Sequence, residues 1–370
     1  MNVLLVSSGH QHSTFDIGAY YHKAFKELNI QTREFRLDLE FQIAMGVIGY
    51  IKIATVDKEE LYNKVHSYYG DGLYLAAKSL IAEITMHEPD YVIFITGVNI
   101  FHKFWDWYGS LCNRLRRPPK SATILTESPY KQEDELEIAW RTDCVFTNER
   151  TFLDLLKRVQ PLSFYLRHAY YSGVHYHENR QQENEVYFCG SGHIQRLREI
   201  SLIEWGNIDF KLRGMFPMLY ELAPHLGIYY EEGATPNRDV AEEYRKSKIC
   251  LNIHRTNGER TILKVKRDDY YSFRHMQTLV NNCYSVNNRT IEIAACGAFQ
   301  LCDNTRPELT EIFGNSVATY SDADELRDKV EFYLEHDDTR NEMARKSLAA
   351  VQGNTYQNNA KKIMQTLEKL

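Results

Sequence analysis

The sequence lacks any apolar run long enough to cross a bilayer. The longest, residues 91–101, is interrupted by Thr96, Gly97 and Asn99 and is about half of the ~20 residues a spanning helix needs. The opening MNVLLVSSGH has no basic segment and only a four-residue apolar run, so no signal peptide is expected. Its seven cysteines contain no CxxC pair, which argues against a zinc site and a disulfide framework and for reduced thiols in a cytoplasmic protein. There is no G-x-x-x-x-G-K-[ST], which removes the P-loop NTPases. There is also no complete G-x-G-x-x-G with a ribose-binding acid after it, which argues against a dehydrogenase. An excess of positive charge is missing too: 44 Lys and Arg against 50 Asp and Glu give −6, opposing non-specific binding of nucleic acid by the whole surface. What is present is an ordinary globular balance, 43% hydrophobic and 25% charged, in 370 residues. That length suggests two domains.

Short apolar runs ending in small residues alternate with helical periodicity along the whole chain. Val3–Val6 opens the first half as a buried strand, and helices are expected over 15–28 and 71–86. Further strands fall at 31–35, 91–96, 121–126 and 144–147. The second half repeats the grammar from 186, with strands near 210–212, 227–230, 249–253, 298–302 and 316–320. Its helices are expected over 194–205, 239–246, 289–296, 306–313 and 323–335. Ser8-Gly9-His10 and Ser191-Gly192-His193 occupy matching strand-to-loop positions. This alternation predicts an α/β chain of two doubly wound, Rossmann-like domains. The polar stretch 175–185, HYHENRQQENE, reads as the linker. The expected domains are 1–180 and 181–355, with a helix over 356–370 packing back on the first.

Residues 285–303 carry the most chemistry. Asn287 or Asn288 suits an N-cap, Arg289 stands in the first turn, and Glu292 follows one turn later. A helix start with free N–H groups and a guanidinium can bind a diphosphate. A carboxylate one turn on can accept from a ribose diol. Asn287, Arg289, Glu292, Ala295, Cys296, Gly297, Leu301 and Asp303 match N-x-R-x-F-E-x-x-A-C-G-x-x-x-L-x-D. This resembles the signature of the CgeB-type (spore-maturation-like) glycosyltransferases of the GT-B superfamily, with Ile291 where that family prefers Phe. Residues 186–193, 244–253 and 324–344 resemble further elements of the family, so the resemblance covers about 186–360. The amino-terminal half matches in architecture alone.

The resemblance implies a GT-B fold and a metal-independent transfer from a nucleotide sugar, a UDP-sugar, to an acceptor in a cleft between the domains. No tightly bound cofactor is expected. Glu292 would hold the ribose. Arg289, the loop Gly190, Ser191 and Gly192, and Arg196 would neutralise the diphosphate. His254, with Arg255 and Asn257, and Asp303 with Asn304 follow strand ends and would meet the donor sugar. His10 is the leading general base, Glu127 the second candidate, and His12 or Asp16 an alternative or orienting partner. The sole D-x-D, Asp322-Ala-Asp324, precedes a helix and reads as an N-cap rather than a metal site.

Bland readings stand beside these. Arg289 and Glu292 could form an exposed i,i+3 pair, Gly190 to Gly192 an ordinary tight turn, and His10 or Glu127 loop contacts to backbone. Basic and aromatic residues alternate over 259–283, with a second basic patch at 113–120. Such mixtures suit sugar stacking, single-stranded nucleic acid or a solvated helix. The acceptor stays open among an envelope glycan, a protein, a small molecule and a modified DNA base. A catalytically silent nucleotide-sugar sensor or scaffold is the alternative outside the enzymes.

Overall fold

A computed structural model describes the backbone of residues 1–7, 12–55, 58–98, 100–233, 235–265, 271–279 and 283–370. Side chains are described for these residues except 12–15, 51–67 and 257–279. The chain divides into two compact units. The first is Met1–Leu166 with Gly258–Thr278 and Ala360–Leu370; the second is Arg167–Asn257 with Leu279–Asn359.

The first unit holds strands β1 (Asn2–Ser7), β2 (Gln31–Arg36), β3 (Tyr91–Ile95), β4 (Lys120–Leu125), β5 (Cys144–Thr147) and β6 (Ser163–Tyr165). They form a parallel sheet in the order β2-β1-β3-β4-β5-β6. Helices α1 (His12–Glu27), α2 (Leu37–Thr55), α3 (Lys58–His87), α4 (Phe104–Cys112), α5 (Gln132–Ala139) and α6 (Leu153–Val159) connect them. Val3 to Val6 are at most 2% exposed, as a parallel strand covered on both faces must be. Helix α2 has no counterpart in the sequence reading, and α3 begins thirteen residues before the expected 71. The cause is visible on α2. Leu39, Ile43, Val47 and Tyr50 face outward and are exposed, so an apolar residue there does not mark a buried face and the 3.6-residue period is blurred.

In the second unit the parallel strands are β7 (Asn184–Ser191), β8 (Phe210–Met215), β9 (Tyr230–Glu232), β10 (Ser247–Asn252), β13 (Gln300–Asp303) and β14 (Ala318–Tyr320). Their order is β14-β13-β10-β7-β8-β9. The helices are α7 (Ile194–Ser201), α8 (Leu219–Leu222), α9 (Asn237–Lys246), α10 (Asn288–Ala295), α11 (Glu308–Phe313), α12 (Ala323–Glu335) and α13 (Asp337–Val351), while α14 (Tyr356–Leu367) begins in this unit and continues into the residues of the first. Strand order reverses between β7 and β10, and the carboxyl ends flanking such a reversal are where doubly wound sheets bind ligands.

Three local expectations are corrected. Residues expected as a strand over 227–230 are mostly a 3-10 turn, Pro224–Tyr229, because Pro224 starts a helical turn and lacks an N–H for a ladder. The helix from 194 stops at Ser201, since Trp205 turns into the core and stacks on Phe210 at 3.8 Å between ring centroids. The alternating segment 259–283 contains β11 (Asn257–Val265) and β12 (Tyr271–Leu279), a two-stranded sheet rather than a helix.

Asp322 caps α12, its Oδ1 accepting from the Glu325 N–H at 2.9 Å. Removing that acceptor with Asp322→Ala should cost about 1 kcal/mol of stability. A urea midpoint unchanged from the parent would contradict the capping role.

Candidate functional site

Four segments of the second unit converge at the reversal: the ends of β7, β10 and β13, and the first turn of α10. Gly192 donates its N–H to the Met215 carbonyl at 2.7 Å. A Cβ on Gly192 would lie 2.6 Å from Phe216 Cα, so this glycine lets two backbones approach each other. Arg196, one turn into α7, donates to the Ser191 carbonyl at 3.3 Å. Its neighbour Gln195 accepts from the Thr256 N–H at 3.4 Å, which ties α7 to the segment following β10.

The first turn of α10 is capped by Asn287, whose Oδ1 accepts from the Thr290 N–H at 2.9 Å and from the Thr290 hydroxyl at 3.0 Å. Asn287 Nδ2 donates to Asn252 Oδ1 at 3.0 Å, and Asn252 Nδ2 donates to Thr290 Oγ1 at 2.8 Å. The cap is thereby fastened to the end of β10. The segment entering it is held by the buried Glu308, which accepts from the Val286 N–H at 3.0 Å and from Arg167 Nε at 2.8 Å.

Arg289 and Glu292 do not pair with each other. Arg289 is half-buried and donates to the Tyr244 hydroxyl at 2.9 Å, with no carboxylate within ion-pair distance among the described residues. Glu292 is 4% exposed, and its Oε1 accepts from Asn237 Nδ2 at 3.2 Å. His175 Nε2 faces the same oxygen at 3.8 Å. Because His175 Nδ1 accepts from the Tyr171 N–H, its ring proton sits on Nε2, toward the carboxylate. No hydrogen bond reaches Glu292 Oε2 among the described residues. Buried charges elsewhere in this unit do have partners: Arg245 has Glu242, and Arg340 has Asp337. Burying a charge without a close partner is costly, and this cation and anion stand one turn apart with no direct ion pair between them.

Behind this turn His254 and Asp303 are bonded directly, Nδ1 to Oδ2 at 2.8 Å, and both are buried. Asp303 Oδ2 also accepts the His254 main-chain N–H at 2.5 Å, while Oδ1 accepts from the Thr305 N–H at 3.1 Å and from its hydroxyl. Burial alone would raise the Asp303 carboxyl, but His254 and these donors carry it well below the usual range. Burial lowers His254, with Asp303 opposing that shift. His254 Nδ1, Cys302 Sγ and an Asp303 oxygen lie within 4.8 Å of one another, a spacing that could accept a metal ion, though protein donors already occupy both carboxylate oxygens. Asn304 is exposed and uses its N–H on the Tyr320 carbonyl at 3.0 Å.

Of the residues proposed from the first unit, His10 lies outside the described residues. Asp16 is half-buried on α1, and Glu127 is half-buried in the turn after β4. The segment 175–185 is more than a linker, because His175 within it is fully buried beside Glu292. Sequence reasoning also passed over Tyr244, Asn252, Thr290 and Asn237. A signal existed for two of them: Tyr244 and Asn252 lie in the segment 244–253 already singled out, and both contact α10 or its cap.

The arrangement is a helix start with a fixed cap, an unpaired guanidinium and a carboxylate with one open oxygen, at the reversal point of a parallel sheet. Residues 194–365 match a family model described as "Glycosyl transferase-like". That stretch, a little under half of the chain, is similar to glycosyltransferases. The chain is similar to the spore protein CgeB of Bacillus subtilis (strain 168), with 22% identity over 302 residues, 77% of this chain and 84% of that protein. Among solved structures it resembles a sucrose-phosphate synthase from Thermosynechococcus elongatus, with a TM-score of 0.64 and 11% identity over 100% of this chain and 98% of that one. It also resembles Anabaena HepE in complex with UDP and glucose, with a TM-score of 0.58 and 13% identity over the whole of both chains. At these identities the two structures establish the GT-B fold. No described helix is long and apolar enough to cross a membrane.

Proposed function

We propose that the protein transfers a sugar from a nucleoside diphosphate donor to an acceptor hydroxyl, with the donor seated against the first turn of α10. The observation that carries this is the unmatched pair on that turn. Arg289 has no carboxylate partner, and Glu292 is buried with Oε2 unbonded. A diphosphate answers the guanidinium and the free N–H groups of the helix start, and a ribose diol answers the carboxylate. The UDP held by the similar HepE makes uridine the expected base.

As the bond from the anomeric carbon to the diphosphate oxygen breaks, negative charge gathers on the leaving group. Arg289, the helix N–H groups and Arg196 stabilise it electrostatically, without calling on a metal. Losing one such donor typically costs ~10²–10³ in rate. The acceptor's proton passes to a base from the first unit, with His10 the leading candidate and Glu127 and Asp16 the alternatives.

Titration calorimetry with UDP and GDP, followed by a donor-hydrolysis assay, tests the reading. Glu292→Ala should weaken UDP binding about 10- to 100-fold, the range for a hydrogen bond to a charged group. UDP affinity equal to the parent's would reject the ribose role. His10→Ala should leave UDP binding intact and abolish transfer, and an active variant would dismiss that base.

A further inference from the structure

In the parallel sheet of the first unit the chain enters β4, β5 and β6 side by side, at strand spacings of about 4.8 Å. Residues 113–119, 140–143 and 157–162, at the ends of α4, α5 and α6, therefore share one edge of that sheet. They are fastened to one another there. Asp143 Oδ2 accepts from the Ser121 N–H at 2.7 Å, and Gln160 Nε2 donates to the Thr142 carbonyl at 2.6 Å. The three segments hold six cations and one acid, in a chain whose net charge is −6.

Arg114, Arg116 and Arg117 are exposed and make no ion pair among the described residues, and the same holds for Lys157 and Arg158. The sixth cation, Arg141, donates to Asp106 at 2.8 Å and lies 3.8 Å above the Trp140 ring. Acids do little to offset this charge. Asp143 is spent on Ser121, Asp90 at the entry to β3 holds the Met1 amino group at 3.6 Å, and the exposed Glu137 subtracts one charge. A cation near the carboxyl end of a helix is an ordinary complement to its dipole. Six of them exceed what three helix ends call for, and the dipole gives no reason for the apolar side chains among them. Trp140 is 55% exposed, and Val159 and Leu162 are exposed as well.

We propose that this edge of the first unit docks on an anionic phospholipid surface. The indole of Trp140 and the aliphatic groups of Val159 and Leu162 enter at headgroup level, and the unpaired cations meet the lipid phosphates. A nucleic acid would use the arginines and leave Val159 and Leu162 without a role. Each Lys or Arg close to an anionic bilayer strengthens binding about fivefold, so the three loop arginines together dominate the attraction. Glu127 follows the opposite, carboxyl end of β4, and docking leaves that end of the sheet uncovered. The surface belongs to the first unit alone and does not depend on the donor site.

Co-sedimentation of the full chain with vesicles tests this. In low salt the chain should bind vesicles of equimolar phosphatidylcholine and phosphatidylglycerol at least about tenfold more strongly than phosphatidylcholine alone. About 1 M salt, which screens charges beyond ~3 Å, should release it. Arg114→Gln, Arg116→Gln and Arg117→Gln together should weaken the binding about 100-fold and leave the urea midpoint unchanged. Brominated lipid should quench part of the tryptophan emission of the unaltered chain, and Trp140→Phe should remove that quenching. Salt release and quenching decide the matter even if the triple variant folds poorly. Equal binding to charged and uncharged vesicles, an unweakened triple variant, or no quenching would overturn the proposal. So would tight binding to a single-stranded oligonucleotide with none to vesicles, which would give this edge a nucleic-acid partner instead.

Discussion

Gly214→Ala is expected to cost about 4 kcal/mol or more, an exceptional loss for a single methyl. Gly214 lies directly beside Gly190 in the parallel pairing of β7 and β8, at φ +129°, where side chains are strained. A Cβ there would sit 1.9 Å from the Gly190 carbonyl oxygen. No rotamer relieves the overlap, because both partners are backbone, so the two strands must part at their carboxyl ends. The damage would fall on the turn that carries Gly190 to Gly192 and on Arg196 behind it. Both the urea midpoint and UDP affinity should therefore drop. Gly46→Ala is the control: it lies in α2 with nothing within 4 Å of the new carbon and should stabilise by about 0.5–1 kcal/mol through helix propensity. A Gly214 variant as stable as the parent would show that the strands do not approach as described.

The stability of the first unit should fall as pH rises from about 5 to about 8, and Glu135 is the cause. This residue of α5 has no exposure, accepts from the Glu127 N–H at 2.9 Å and bonds the Ser128 hydroxyl, and the Lys131 charge only partly offsets the cost of burying its carboxylate. Burial pushes its carboxyl up from 4.5 to about 8. Between those values the folded chain keeps the proton while the unfolded chain releases it, so each unit of pH favours unfolding. The stabilising contribution is complete below the unfolded value and gone once pH passes the folded one. A shift of this size corresponds to roughly 3–5 kcal/mol across the window. Glu135→Gln imitates the protonated acid, since its amide can still accept from Glu127 and donate to Ser128. It should flatten the pH slope and make the chain the more stable of the two at pH 8. Parallel stability curves for parent and variant between pH 5 and 8 would exclude Glu135 as the source.

The comparison of sequence with structure is uneven for physical reasons. Strands buried on both faces were readable because β1, β5 and β10 are short apolar runs with polar flanks, and runs of that length are buried most readily as strands covered on both sides. The α10 cap and the α12 cap were readable because capping is settled within four residues. Helix α2 escaped because its outward face is as apolar as its inward one. The site was half legible. Arg289 and Glu292 stand out from their spacing on one helix. Tyr244, Asn237 and His175, which set the state of those two side chains, lie 45, 55 and 117 positions away from them in the chain.

The sequence alone determined the alternation of strands and helices, the doubly wound class and the residues at the start of α10, because each depends on neighbours within a turn or a strand. Only the tertiary structure decided that His254 and Asp303, 49 positions apart, share a hydrogen bond. It alone decided that Arg289 turns to Tyr244 and leaves Glu292 without a cation. Charge partnership inside a protein is set by which strands lie side by side, and strand order is a property of the packed sheet that no local stretch of chain encodes.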